Sequence, residues 1–182
     1  MASALIDMQM QTEIRITEPG DAASICDVLR RSILECCVED HRNNTDILSA
    51  WLGNKNCETV SSWLSSPANF SIVAVVDSKV VGIGLLTRAG RVALCHVAPE
   101  ARFTGAGKAL LQALERQAVE WTLSSLRVES PTNAKAFYLR NGFIECGEVE
   151  SPFGITVMTL SKCLRSQIAG KPRGCKCNPD SD

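Results

Sequence analysis

The chain has 182 residues, which corresponds to one domain at about 150 residues per domain. Its 19 Lys and Arg nearly balance its 20 Asp and Glu, so a formal net charge of −1 leaves no general basic field to attract nucleic acid or an anionic membrane. With 45% apolar and 21% charged residues, the composition is that of a globular protein and excludes a disordered one.

The first part of the chain predicts one strand followed by three helices. Apolar and polar residues alternate over Thr12–Thr17, as they do in a strand. Apolar residues then recur every three or four positions from Ile25 to Cys36, and Asp21 stands where a helix N-cap is expected. The polar run Asp40–Thr45 ends this pattern. Two shorter helices are predicted at Asp46–Leu52 and Glu58–Leu64.

The rest of the chain predicts strands that alternate with helices. Tight connections at Asp77–Lys79 and Ala89–Gly90 indicate an antiparallel meander of three strands. An apolar stripe makes Gly105–Trp121 the clearest helix of the chain. The Asn141–Gly142 pair is typical of the C-cap of a second helix, Asn133–Arg140. The strands predicted in this part are Phe70–Val76, Val80–Thr87, Arg91–Val97, Leu123–Glu129, Phe143–Glu148 and Ile155–Ser161.

This order of elements predicts the mixed α/β class, with a central sheet covered by helices on both faces. We expect a single domain over residues 12–165, between an N-terminal segment (1–11) and a loose C-terminal tail (166–182). The longest strongly apolar stretches are much shorter than the roughly 20 residues that cross a bilayer, and no secretory signal is evident at the N-terminus. We therefore expect a cytoplasmic protein without membrane partners.

Nine cysteines are scattered through the predicted helices and strands. In the cytoplasm they would be reduced, and most of them would serve as small core residues. Cys36 and Cys37 are adjacent and point to different faces of a helix, while Cys175 and Cys177 have no second pair of ligands nearby. The sequence therefore predicts no metal site.

A glycine-rich turn joins a predicted strand to the long amphipathic helix. Gly105 and Gly107 allow backbone N–H groups to converge at the helix N-terminus, and Arg102 and Lys108 flank them, which together favour an anion site. A P-loop would need glycine at Arg102 and serine or threonine at Ala109, and a dinucleotide-binding turn would need glycine at Leu110, so both motifs are disfavoured. The alternative is that the glycines only permit a tight turn.

Two segments, in this order, resemble motifs of the GCN5-related N-acetyltransferases (GNAT). The first is similar to the family's acyl-CoA-binding motif, and its residues are Val97-Ala-Pro99-Glu-Ala-Arg102-Phe-Thr-Gly105-Ala-Gly107. The second is similar to another segment of the family, and its residues are Glu129-Ser130-x-x-Asn133-Ala134-x-x-Phe137-Tyr138-x-x-x-Gly142-Phe143. The resemblance extends from roughly Arg15 to Leu160.

The resemblance implies that acetyl-CoA binds in a cleft between two parallel strands that splay apart, Arg91–Val97 and Leu123–Glu129. The diphosphate would lie on the N–H groups from Phe103 to Ala109. Many members carry an asparagine seven places before the tyrosine, where this chain has Pro131, and Asn133 would contact coenzyme A instead. The implied acetyl-CoA-binding residues are Val97, Arg102, Phe103, Thr104, Gly105, Ala106, Gly107, Lys108, Ala109, Asn133 and Phe137.

The family's chemistry is the direct attack of an uncharged amine on the thioester, followed by protonation of the thiolate. The resemblance implies that Tyr138 is the general acid, the alternative being a ring that only packs in the core. His96, on the splayed strand, is the first candidate for the base, unless it points away from the cleft. Glu129 is the second candidate. A third is the group Glu35, Glu39, Asp40 and His41, and a water chain could replace any of them.

We therefore expect an acetyl-CoA-dependent N-acetyltransferase that acts on a primary amine in a ternary complex. The acceptor could be a small amine, an amino acid, a polyamine, or the N-terminus or a lysine of a protein. One alternative is a non-catalytic module that binds coenzyme A, and another is an interaction protein that has kept only the fold. Family members are often homodimers, but the sequence itself identifies no surface for self-association.

Overall fold

The computed structural model describes residues 12–164. The N-terminal segment and the whole predicted tail, which contains Cys175 and Cys177, lie outside this range. The strands are β1 (Glu13–Ile16), β2 (Asn69–Val76), β3 (Lys79–Thr87), β4 (Val92–Val97), β5 (Ser125–Ser130), β6 (Ile144–Glu150) and β7 (Thr156–Cys163). The helices are α1 (Ala22–Cys36), α2 (Val38–His41), α3 (Thr45–Leu52), α4 (Cys57–Ser65), α5 (Ala106–Glu120) and α6 (Thr132–Arg140). The predicted elements are confirmed with small shifts of their ends, and the short α2 is additional.

The strands form two antiparallel sheets that separate from each other. One sheet has the order β1-β2-β3-β4, which confirms the predicted meander, and the other has the order β5-β7-β6. A parallel bridge between Arg91 and Arg127 joins them, and the Arg127 N–H donates to the Gly90 carbonyl at 2.9 Å. Within residues 12–164, no further backbone pairing between β4 and β5 follows this bridge. The predicted splayed pair of parallel strands is thus confirmed.

Helices cover both faces of the first sheet, as predicted. Leu110 and Leu114 of α5 are fully buried on one face, in a cluster that also includes residues of the second sheet. Ile25 and Leu29 of α1 are fully buried on the other face. The longest helices, α1 and α5, have 15 residues each, and no helix in the described range is long and apolar enough to cross a membrane.

The start of α1 differs from the prediction in its hydrogen bonds. Asp21 occupies the N-cap position, but its side chain accepts no capping bond from the helix. Its carboxylate instead accepts two bonds from the Arg15 guanidinium, at 2.7 and 2.9 Å, and one from the Glu18 N–H. The Arg15 guanidinium lowers the pKa of Asp21 below its ordinary value. Asp21 therefore ties the end of β1 to the start of the helix rather than capping it.

A bulge in β4 sets the direction of the side chains that follow it. Leu85 pairs with Leu94 and Leu86 with Val92, so that Ala93 has no partner on β3. After the bulge, Cys95 packs toward the α5 cluster, whereas His96 faces Ser32 of α1. Strand β4 therefore presents chemically different groups to its two covering layers.

The cysteines only partly match the expectation that all of them are reduced. Six are free thiols, and they are Cys26, Cys36, Cys37, Cys57, Cys95 and Cys163. Cys146, in β6, is disulfide-bonded, so the expectation is wrong for this residue. Among the described residues, no three His, Cys, Asp or Glu side chains come together as a metal site would require.

Candidate active site

A cavity of about 450 Å³ lies where β4 and β5 separate. Its walls come from the end of α1, from β4 and β5, from the loop that precedes α5 and from α6. The splay creates this space because the two strands have no backbone partner across the gap. The predicted site residues that line the cavity are His96, Val97, Arg102, Phe103, Gly105, Gly107, Lys108, Glu129, Asn133, Phe137 and Tyr138.

One end of the cavity is suited to an anion. Gly105 is the N-cap of α5 with a φ of 97°, a left-handed conformation that glycine adopts without strain. The N–H groups of Gly107 and Lys108 belong to the first helical turn, which has no intrahelical acceptors, and the helix dipole adds positive potential there. The side chains of Arg102, Lys108 and Arg140 bring three positive charges to the same cavity. Phosphate groups are the ligands that such an end favours.

The structure narrows the set of backbone groups predicted to hold the diphosphate. The Ala109 N–H donates to the Gly105 carbonyl at 2.9 Å and is therefore already used inside the helix. Ala106 is fully buried, and the Thr104 hydroxyl donates to the Ala101 carbonyl at 2.8 Å. None of these three residues lines the cavity. We expect the backbone cradle to end at Lys108 rather than at Ala109.

Tyr138 lies in the floor of the cavity with its ring held by aromatic neighbours. The ring is only 4% exposed, and it makes edge contacts with Phe137 and Phe143 at centroid distances of 5.1 and 5.3 Å. Burial raises the pKa of Tyr138 well above its ordinary value, and the nearby Cys95 thiol raises it further. The phenol is thus protonated at neutral pH, as a proton donor must be. Its role as general acid stays a prediction.

His96 lines the cavity and is fixed by a contact with α1. Its Nδ1 lies 3.1 Å from the hydroxyl oxygen of Ser32. Burial lowers the pKa of His96 to about 4, and the positive charge of Lys55 contributes. The imidazole is therefore neutral at physiological pH, so that one of its two ring nitrogens carries no proton. His96 thus lines the cavity with an unprotonated ring nitrogen, and its role as the base stays a prediction.

The carboxylates that were alternative candidates for the base are bonded to other groups or lie outside the cavity lining. Glu129 lines the cavity, but its carboxylate accepts a bond from Arg91 at 3.0 Å. Asp40 accepts a bond from the Thr132 N–H at 2.9 Å, at the start of α6. Glu35 is bonded to Arg31 at 3.3 Å, and neither Glu35 nor Glu39 lines the cavity. These contacts favour His96 over the acidic candidates.

Asn133 joins α6 to the end of α1 at the cavity wall. Its side-chain NH₂ donates to the Cys36 carbonyl at 2.7 Å, and its oxygen faces the Cys37 thiol at 3.8 Å. One of its two N–H donor bonds is thus already committed within the protein. A contact between Asn133 and coenzyme A, expected from the resemblance, would use the hydrogen-bonding groups of this amide that are not engaged with Cys36 and Cys37.

The cavity residues with polar or thiol side chains that were not identified as site residues from the sequence are Ser32, Cys36, Cys37, Cys95, Arg140 and Asn141. Ser32 had a detectable signal, because it is a polar residue within the apolar stripe that contains Leu29 and Ile33. Cys95 had none, since its direction depends on the bulge at Ala93. Cys36 and Cys37 belong to the site only because α1 ends there.

Solved structures show that this fold recurs in acetyltransferases. A GCN5-related N-acetyltransferase from Rhodopseudomonas palustris superposes with a TM-score of 0.75 at 21% identity, over 84% of this chain and 96% of that one. The PaiA N-acetyltransferase from Thermoplasma acidophilum, in complex with coenzyme A, gives 0.68 at 19% identity, over 85% and 99%. YncA from Salmonella typhimurium, a putative acetyltransferase with acetyl-CoA, gives 0.64 at 17% identity, over 91% and 99%. At these identities the likeness shows the fold.

The sequence comparison gives the family. No curated protein matches the chain. Residues 46–164 match the family described as the acetyltransferase (GNAT) domain, a range that includes β2 to β7, the glycine-rich turn and Tyr138. The chain therefore belongs to the GNAT acetyltransferase family.

Proposed function

We propose that the protein transfers the acetyl group of acetyl-CoA to a primary amine by direct attack in a ternary complex. The observation that carries this proposal is the cavity between β4 and β5, because it joins an anion-binding helix start to Tyr138 and His96. A phosphate-bearing thioester fits the two ends of this cavity. Two solved relatives in the same fold contain coenzyme A or acetyl-CoA, which supports the donor.

The residues supply each requirement of the reaction. His96, neutral at physiological pH, accepts a proton from the attacking amine. The backbone of β4 facing the gap has no partner on β5, so it is available to bind the pantetheine arm and to polarise the thioester carbonyl. Collapse of the tetrahedral intermediate breaks the carbon–sulfur bond. Tyr138 then protonates the departing thiolate of coenzyme A.

The cavity cysteines favour direct attack over an acetyl-cysteine intermediate. Burial raises the pKa of Cys37 and that of Cys95 to about 12, and it also raises the pKa of Cys36. These thiols are therefore protonated at neutral pH, whereas a nucleophilic cysteine requires the thiolate. None of these three cavity cysteines is therefore activated as a nucleophile that would carry the acyl group before the amine attacks.

The test is acetylation of a panel of amines and peptides, with the product detected by mass because the free cysteines would react with a disulfide dye. Wild type should acetylate at least one amine, and Tyr138→Phe should lower kcat by about 100-fold with little change in acetyl-CoA affinity. The phenylalanine keeps the ring contacts with Phe137 and Phe143, so thermal unfolding should be unchanged. Binding of acetyl-CoA without turnover on any acceptor would instead support a non-catalytic module, and a complete lack of binding would refute both functions.

A further inference from the structure

Phe103 is the most exposed large apolar side chain in residues 12–164. Its exposed fraction is 89%, compared with 67% for Ile16, the next in order. Its backbone also has a φ of 63°, in the left-handed region that bulky side chains rarely adopt. Both features are unfavourable for the folded chain on its own, and strained residues of this kind concentrate where a ligand binds. The ring is therefore a candidate for contact with a ligand.

The ring lies at the rim of the active-site cavity, beside the anion-binding end. Phe103 lines the cavity and precedes the helix N-cap, Gly105, by two residues. The Arg102 guanidinium carbon lies 4.9 Å from the centre of the ring, as in a cation–π contact. Thr104 and Gly105 bring no apolar side chain to the same loop. The ring therefore stands as a single aromatic platform next to the phosphate subsite.

The linear shape of coenzyme A determines which group reaches this platform. With the thioester near Tyr138 and His96 and the diphosphate on the first turn of α5, the adenosine must continue past the diphosphate to the rim of the cavity. Adenine is the only aromatic group of the donor, and a base stacks on an exposed aromatic side chain through its flat face. A planar guanidinium beside the stack adds a further favourable contact.

We propose that Phe103, together with Arg102, forms an adenine-stacking subsite for the acyl-CoA donor. This inference rests on the proposed function, because it assigns the outer end of the same ligand. The ring would anchor the adenosine and leave the reaction at the thioester unchanged. Its loss should therefore raise the KM and the dissociation constant for acetyl-CoA without lowering kcat.

The experiment compares acetyl-CoA with acetyl-4′-phosphopantetheine, which lacks the adenosine and the two phosphates attached to it, by titration calorimetry. Phe103→Ala and Phe103→Leu should weaken acetyl-CoA binding by about tenfold, whereas Phe103→Trp should retain it. The affinity for acetyl-4′-phosphopantetheine should be the same in all four proteins. Val119→Ala removes an exposed apolar side chain from α5 outside the cavity and should leave both affinities at the wild-type value.

The outcomes separate this inference from the proposed function. If Phe103→Ala weakened both ligands equally, the ring would shape the loop rather than bind the base, and the inference would be overturned. Unchanged acetyl-CoA affinity in Phe103→Ala would overturn it as well. If the wild type bound neither ligand, both the proposed function and this inference would be refuted. Phe103→Gly, which relieves the left-handed strain, should fold at least as stably as the wild type and still bind acetyl-CoA about tenfold more weakly.

Discussion

The hydroxyl oxygen of Ser32 lies 3.1 Å from Nδ1 of His96, which links the buried face of α1 to strand β4 at the wall of the cavity. The direction of this bond decides what the imidazole can do. If Nδ1–H donates to Ser32, Nε2 is left without a proton and can accept one from an amine. If the hydroxyl donates to Nδ1, Nε2 carries the proton. A base at His96 therefore requires Ser32 to be the acceptor.

Substitution of His96 tests its role directly. His96→Gln removes the ring nitrogens and should lower kcat by about 100-fold, near the lower end of the range for a general base, because a pKa of about 4 makes the group a weak base. Ser32→Ala removes only the partner that sets the tautomer, so kcat should fall about threefold to tenfold by comparison. Both are measured by steady-state kinetics with mass detection. Ser24→Ala, on the exposed face of the same helix, is the matched control.

Glu129 should prove much less important for the reaction than His96. Its carboxylate accepts a bond from Arg91 at 3.0 Å, so we do not expect it to act as a free base. We expect Glu129→Gln to lower kcat by less than about tenfold, compared with about 100-fold for His96→Gln. A larger loss in Glu129→Gln than in His96→Gln would reverse the assignment. The two variants are compared at the same pH with the same amine.

The junction between the two sheets depends on Gly90. It has a φ of 80°, and a Cβ built there would lie 2.9 Å from the Ser125 carbonyl oxygen. Gly154 has a φ of 77° but no atom within 4 Å of such a Cβ, so it is a control for backbone strain alone. Both alanine variants should lose about 1 kcal/mol from the strain, and Gly90→Ala about 2 kcal/mol more from the clash.

Equilibrium urea unfolding measures this difference, and calorimetry measures acetyl-CoA binding in the same proteins. Gly90→Ala should also bind acetyl-CoA more weakly, because the Gly90 carbonyl accepts the bond from Arg127 where β4 and β5 part. Equal losses of stability in the two variants would mean that the backbone at the junction shifts to accommodate the added Cβ. The prediction that the junction requires glycine at position 90 would then be wrong.

The elements could be predicted from local sequence patterns, and the location of the cavity from the resemblance to the GNAT motifs. The glycine-rich turn before α5 and the Asn133–Phe143 segment contain most of the predicted cavity residues. The contacts between distant segments could not be predicted in this way. The pairing of Glu129 with Arg91 and that of Asp40 with α6 depend on how layers pack, and the direction of Cys95 depends on one unpaired residue, Ala93.

The burial of Lys55 could not be predicted from the sequence either, since nothing in its local sequence indicates it. It is only 5% exposed, and its ammonium donates to the Trp51 carbonyl at 3.3 Å and to the side-chain oxygen of Asn54. The ammonium also lies 5.6 and 5.3 Å from the ring centres of Trp63 and Phe153. This arrangement joins the α3–α4 region to the β6–β7 connection. Burial lowers the pKa of Lys55 to about 8.

A depressed lysine pKa makes stability depend on pH in a defined direction. Between pH 8 and the ordinary lysine value of about 10.4, the unfolded chain binds more protons at this position than the folded protein, so the free energy of unfolding rises with pH there. Below pH 8 the full cost of burying the charge is present in the folded state. Lys55→Met fills the space without a charge and should remove this dependence.

Urea unfolding of wild type and Lys55→Met at pH 7 and pH 9.5 provides the measurement. The free energy of unfolding of wild type relative to Lys55→Met should increase by about 2 kcal/mol between these two pH values. Lys79→Met, at an exposed position in β3, controls for the loss of a lysine and should follow the wild-type pH dependence. The cysteines and Tyr138 also titrate in this range, but they are present in all three proteins. Their contribution to the pH dependence therefore cancels when wild type is compared with Lys55→Met. Identical pH dependences for wild type and Lys55→Met would show that the buried ammonium keeps its proton over this range.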